Sequence, residues 1–308
     1  MKKKSFITIG AAAIAVAGVL AGCGGGAGTQ TTTAKSSSDA TIETVEEVTA
    51  QSIAKTVSEK MDEVKSYSFD GETKMNYAVS ASGTDMSVKM DMKLNGEGVV
   101  ESKQVHMNAD MDMEMLGQEI KVKSEAYAVE EDGKYVVYTK SEGSGVEEGW
   151  TKQVTDTKIE FDKLNNLSVY KQIADGNIEA VLTEGEKING KDVYKITAKI
   201  PGEIFQETFT ALGSDSTSQF STIDFSAASA NCELYVYKDT GFPARTYMDA
   251  KEYGDSIFKQ AASQTGSADN IAVSVDDFFV DVTMDNYNAI DKIEIPADVK
   301  ESAKEVTE

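Results

Sequence analysis

The spacing of apolar positions changes along the chain, and each change predicts a different element. Over residues 41–65 the apolar side chains recur every three to five positions, at Ile42, Val45, Val48, Ile53, Val57, Met61 and Val64, with Glu, Lys, Ser and Thr between them. Such spacing gathers one stripe on a helix, so an amphipathic helix is expected there. From Ser66 the period drops to two. Tyr67, Phe69, Thr73, Met75, Tyr77 and Val79 fall on one side, and Asp70, Glu72, Lys74 and Asn76 on the other. The same alternation returns in Met86, Val88, Met90, Met92 and Leu94, in Val105, Met107, Ala109, Met111, Met113 and Met115, and from Ile120 and Val122 to Val129. Turn signals separate these runs: Ser82-Gly83-Thr84-Asp85, Asn95-Gly96-Glu97-Gly98, Leu116-Gly117-Gln118 and Glu131-Asp132-Gly133-Lys134. Short links between successive strands make antiparallel neighbours. Residues 66–141 therefore read as a five-stranded meander with one apolar and one charged face.

Beyond it, Ile159, Leu164, Leu167 and Ile173 stand at near-helical spacing. Strands are expected over 178–188 and 193–200, joined by the hairpin signal Asn189-Gly190-Lys191-Asp192. Pro201-Gly202 opens a short helix to about 212, and the Ser/Thr-rich stretch 213–229 reads as a loop. Further strands are expected over 232–237, 244–253 and 271–284, the first two linked by Lys238-Asp239-Thr240-Gly241-Phe242-Pro243. The sum is an α+β protein with about ten antiparallel strands and three or four helices, and no composition break cuts it into two domains.

The first forty residues are of another kind. Met1-Lys2-Lys3-Lys4 and the apolar run 6–20 form a basic leader and a hydrophobic segment too short to span a bilayer comfortably. Leu20-Ala21-Gly22-Cys23 follows, and it resembles the lipobox of bacterial lipoproteins. That resemblance implies cleavage before Cys23, residues 1–22 being a signal peptide, and diacylglyceryl and fatty-acyl (palmitate-type) chains on the cysteine. One acyl chain holds a membrane marginally, at about 0.8 kcal/mol per buried methylene, whereas two or three anchor stably. Residues 24–40 are Gly, Ser, Thr and Ala with little else, a composition that forms a tether with an end-to-end reach of roughly 20 to 25 Å. A domain over 41–308 would then stand on the extracytoplasmic face of the cell membrane.

Loss of the leader with its three lysines takes the formal charge from −22 to −25. So acidic a chain disfavours nucleic acid and anionic headgroups, which leaves the lipid as the expected membrane contact and a monomer as the expected state. With Cys23 acylated, Cys232 has no partner for an intrachain disulfide and reads as a small buried hydrophobe.

Eight of the twelve methionines lie between Met75 and Met115, all at apolar-face positions. Methionine is flexible and polarizable, so a sheet lined with it can repack around irregular apolar ligands. Met75, Tyr77, Met90, Met92, Met107, Met111 and Met113 are the candidate ligand-binding residues; a Met-rich core is the plainer alternative. A Cu(I) site with His106 is disfavoured, because alternation places His106 with Asn108, Asp110 and Asp112 on the face opposite the thioethers. The alternating Asp110, Asp112 and Glu114 lack the encircling loop that calcium requires. One histidine, no Gly-x-Ser-x-Gly elbow and no phosphate-binding loop leave no basis for an enzyme, and no cofactor is expected. Trp150 reads as a core anchor.

The order of lipobox, tether, helix and long meander, the segment from Tyr235 through Thr240-Gly241-Phe242-Pro243 to Arg245, and the closing Asp285-Asn286-Tyr287-Asn288 and Ile293-Glu294-Ile295-Pro296 resemble the half-barrel lipoproteins of the LolA/LolB and LppX/LprG groups. Uncharacterised Gram-positive lipoproteins of that fold are more similar still. The resemblance implies a curved antiparallel sheet with helices on its concave face and a cavity that shelters acyl chains. Two functional readings follow: a membrane-anchored protein holding a lipid or other hydrophobic ligand, or a non-catalytic surface scaffold with a closed core. For the anchor itself, Cys23→Ala is expected to release the chain from salt-washed membranes, and retention in the membrane fraction would contradict it.

Overall fold

The computed structural model describes residues 48–81, 84–143, 149–155, 167–204, 224–264 and 271–306. The signal segment, Cys23 and the tether lie outside these residues, as do Ile42, Val45, Ile159, Leu164 and the stretch 205–223.

Twelve strands form one sheet: β1 (Ser66–Ala81), β2 (Thr84–Val99), β3 (Gln104–Met115), β4 (Gln118–Glu131), β5 (Lys134–Gly143), β6 (Trp150–Thr155), β7 (Ala180–Glu184), β8 (Val193–Pro201), β9 (Ser229–Tyr237), β10 (Pro243–Asp249), β11 (Ile271–Asp285) and β12 (Lys304–Glu305). Their order is β12-β6-β5-β4-β3-β2-β1-β11-β10-β9-β8-β7, and every pairing is antiparallel except the short β12 on β6. The chain lays down one meander outward from β1, crosses over, and lays down a second from β7 inward. Pairing of β1 with β11, from Ser68↔Asp285 to Ala81↔Ile271, fuses the two into a curved, unclosed half-barrel.

Helices α1 (Ala50–Met61) and α2 (Leu167–Ala174) pack on the concave face. Ala54, Val57 and Ile173 are fully buried there with Ile196 and Leu234 of the sheet, and each large apolar side chain so buried contributes about 1.5–3 kcal/mol. Helix α3 (Lys251–Gln264) seats Tyr253 and Ile257 against Ala230, Met248 and Phe278. On the outer face, Ile293, Ile295 and Val299 around the short α4 (Ala297–Ser302) cover Val99, Tyr127, Val129, Val136 and Tyr138.

The structure departs from the sequence reading at several points, each with a local cause. The first helix starts at Ala50, because Thr49 and Ser52 form a reciprocal capping box (Ser52 N to Thr49 Oγ1, 3.1 Å; Thr49 N to Ser52 Oγ, 2.9 Å). Val48, expected on its apolar stripe, is exposed. The strand expected to run to about 253 stops at Asp249, whose carboxylate accepts from Lys251 N at 3.1 Å and starts α3. Strands β6 and β12 and helix α4 add to the expected count, giving twelve strands where about ten were expected.

The largest departure concerns Asn95-Gly96-Glu97-Gly98, a turn signal that lies inside β2; the reversal comes at 100–103, where Lys103 takes a positive φ of 48°. The glycines are there for space. Gly96 pairs with Phe69 and Gly98 with Tyr67, and the two rings fill the room that side chains on β2 would occupy. A Cβ on Gly96 would sit against the His106 carbonyl oxygen and 2.7 Å from Phe69 Cζ. Gly96→Ala is therefore expected to cost about 2–3 kcal/mol in urea unfolding, and a loss under about 0.5 kcal/mol would show that the strands have room to shift.

Candidate functional site

Strand register decides which residues share the concave face. Met75 pairs with Met90 and Met90 with Met113; Met92 pairs with Met111, and Met107 lies opposite Gly96. All the candidate residues, with Tyr77, thus face inward. The inner-face positions of β1, β2 and β3 carry no carboxylate or ammonium group.

The face has two unlike ends. Under α1 and α2 it is packed shut: Phe69 is 1% exposed, Leu94 and Val282 2%, and Met92 and Met107 only 4% and 3%. Two of the candidate methionines thus belong to the core. Toward the β1–β2 and β3–β4 turns Met75, Tyr77, Met86, Met90, Met111, Met113, Ile120 and Phe278 are half-buried, and Met115 and Leu116 are exposed. Helix α3 flanks this end, stacking Phe258 on Tyr77 at 4.9 Å between ring centroids. A bulge in β11 between the partners of Asn76 and Tyr77 bends the sheet edge at the same place. The ensemble is thioether and aromatic surface, suited to apolar and polarizable groups.

The outer face holds the polar clusters. His106 stacks on Tyr127 at 4.3 Å, and its Nε2 lies 3.1 Å from Glu125 Oε1, which also accepts from the Tyr127 hydroxyl at 3.0 Å. Burial, with that hydrogen bond, pushes the Tyr127 phenol up to about 12. Trp150 tilts against Tyr127 at 5.8 Å, so it supports the cover formed by α4. Asp110 and Asp112 sit within 3.9 Å of Lys123 and Lys121, and Glu114 bonds Lys89 at 3.0 Å, a ladder of cross-strand ion pairs. Among the described residues no group of three His, Cys, Asp or Glu is placed to hold a metal ion. Cys232 is buried on the inner face, and burial pushes its thiol up to about 12, which leaves it un-ionised and unreactive at neutral pH.

A shallow cleft of about 200 Å³ lies away from the methionines, between Ile53 and Thr56 of α1 and the 238–241 turn, with Tyr194 and Tyr237 beside it. Lys238 extends over the Tyr194 ring, 4.6 Å from its centroid, and is ion-paired with Glu184.

The two segments behind the half-barrel resemblance meet each other. Phe242 stacks on Tyr287 at 4.5 Å, and the Tyr287 hydroxyl donates to the Pro243 carbonyl at 2.9 Å. Asn288, at a positive φ of 60°, accepts from Lys65 N at 2.6 Å through its side chain and donates its own N–H to the Ser66 carbonyl at 2.8 Å. Asp285 takes Lys191 Nζ at 2.9 Å and Asn189 Nδ2 at 2.9 Å. Burial would raise the Asp285 carboxyl, yet these bonds hold it below the usual carboxylate value. The motifs are a clasp that joins the chain's end to its first strand and to the β7–β8 and β9–β10 connections; they touch none of the candidate ligand-binding residues.

Among the described residues, no helix is long and apolar enough to cross a membrane. A family model described as a family of unknown function, DUF6612, matches residues 49–304, and the chain belongs to that family. No curated protein matches the chain. Two solved structures are similar to it: a DUF1329 family protein from Desulfovibrio piger, 9% identical with a TM-score of 0.24, covering 78% of this chain and 92% of that one; and a β-barrel-like protein of domain of unknown function DUF1849 from Brucella abortus, 12% identical with a TM-score of 0.24, covering 73% and 100%. Neither carries weight for function.

Proposed function

We propose that this DUF6612 protein is a membrane-anchored lipoprotein that holds a lipid or other amphiphile on the half-open end of its concave face. The observation that carries the reading is the continuous field of half-buried Met75, Met90, Met111 and Met113, bordered by Tyr77 and Phe278, at one end of an otherwise packed face. Apolar side chains left partly wet on a concave face, with no charge among them, mark a surface made to be covered. Thioethers let that surface adapt to acyl chains of different shape. The tether and the lipid on Cys23 keep such a holder near the bilayer, and the LolA/LolB and LppX/LprG groups lend the general plan of a half-barrel that shelters acyl chains. The alternative, a scaffold with a closed core, has the tight packing beneath α1 and α2 in its favour.

The neutral dye N-phenyl-1-naphthylamine, added to the chain from residue 23 onward carrying Cys23→Ser, separates the two. Binding at micromolar concentration is expected, with Met90→Lys or Met113→Lys weakening it about tenfold or more by placing a charge in the field. Val181→Lys, on the exposed edge strand, is expected to leave it unchanged. Absence of binding, or equal binding by the Met→Lys variants, would favour the scaffold.

A further inference from the structure

Thr73 stands where the packed end of the concave face gives way to the half-open end. It pairs with Met92 on one side and Val280 on the other, between Gly71 and Met75 on its own strand. It is only 5% exposed, and its hydroxyl oxygen is buried without any hydrogen-bond partner. Valine would suit the alternation, the β-branched geometry and the apolar neighbours equally well, and without the cost of a stranded hydroxyl. Beyond Thr73 the face is closed, since the side chains of Leu94 and Val282 come within 3.0 and 3.2 Å of where a Gly71 Cβ would lie. The other way lie Met75, Met90 and Met113.

We propose that the Thr73 hydroxyl is the hydrogen-bonding handle of the amphiphile site, and that the ligand is a neutral amphiphile carrying an oxygen, such as a fatty alcohol, an ester or an acylglycerol. The inference rests on the reading of the concave face as an amphiphile site. A threonine hydroxyl both donates and accepts, so it serves an alcohol, an ester carbonyl or an ether alike. Its surroundings exclude the neighbouring classes. Met92, Val280, Gly71 and Met75 offer no cation to an ionised carboxylate, which would be buried unpaired. A plain hydrocarbon would leave the hydroxyl as it is in the free protein. The ligand oxygen therefore meets Thr73 at the closed limit of the site, and the apolar chain runs outward over the methionines.

The test is displacement of N-phenyl-1-naphthylamine by 1-dodecanol and by dodecane, each delivered from cyclodextrin, from the 23–308 chain carrying Cys23→Ser and from the same chain with Thr73→Val or Thr73→Ser. In the parent and Thr73→Ser chains dodecanol is expected to displace the dye at lower concentration than dodecane. Thr73→Val should weaken dodecanol roughly five- to tenfold and leave dodecane unchanged, while the ligand-free variant melts about 2 °C or more higher because the stranded hydroxyl is gone. Equal displacement by the two ligands in the parent chain, or unchanged dodecanol displacement in a folded Thr73→Val chain, would overturn the role of Thr73 and leave the amphiphile site standing. Failure of the parent chain to bind the dye would overturn both.

Discussion

The architecture depends on one pairing, that of β1 with β11. Each of the two meanders could grow strand by strand from local turns, but neither alone has a face broad enough to bury α1 and α2. Joining the first strand to the last long one brings Phe69, Leu94 and Met107 into the same core as Ile196, Leu234 and Val282. The clasp at the chain's end secures the join. Tyr287 under Phe242 and Asn288 on the Lys65–Ser66 backbone lock the end of β11 to the start of β1, and Asp285 ties in the β7–β8 hairpin. The same pairing creates the site, since Met75 and Tyr77 on β1 face Phe278 and Val275 on β11 across it.

The clasp also explains what the resemblance to half-barrel lipoproteins was made of. Its recognisable residues turn chain corners, with positive φ at Asn286 and Asn288 and a tight turn at Gly241, and such corners tolerate few residue types. A ligand surface built from interchangeable apolar side chains leaves no comparable motif. The resemblance therefore speaks for the plan of the fold, and the family that the chain belongs to is DUF6612.

Much of this was legible in the sequence because a strand with one buried face has a period of two. Each of the first five strands was visible as a run of alternation, and His106 and the methionines were assigned to opposite faces on that ground alone. The errors share a cause: long-range packing overrode local signals. Gly96 and Gly98 carry the chemistry of a turn, yet they sit in a strand because Phe69 and Tyr67 need the space above them. Helix α3 was hidden by the β-type residues Tyr253, Ile257 and Phe258, which its burial against β11 requires. Within the site, alternation gave the inward-facing set but not the division between Met92 and Met107 in the core and Met75, Met90, Met111 and Met113 at the half-open end. That division depends on where α1 and α2 stop. Thr73 was visible only as one more inward position; its unpaired hydroxyl is a property of the packed sheet.

The central claim is one of place: an amphiphile is held at the half-open end of the concave face and nowhere in the packed half. Methionine methyl resonances of the chain, labelled with carbon-13 and recorded as an amphiphile is titrated in, test it most directly. The account predicts that the methyls of Met75, Met90, Met111 and Met113 shift together and saturably, while those of Met61 and Met284, buried in the core, stay in place. Shifts led by Met61 and Met284, or no saturable shift at any methionine, would contradict it.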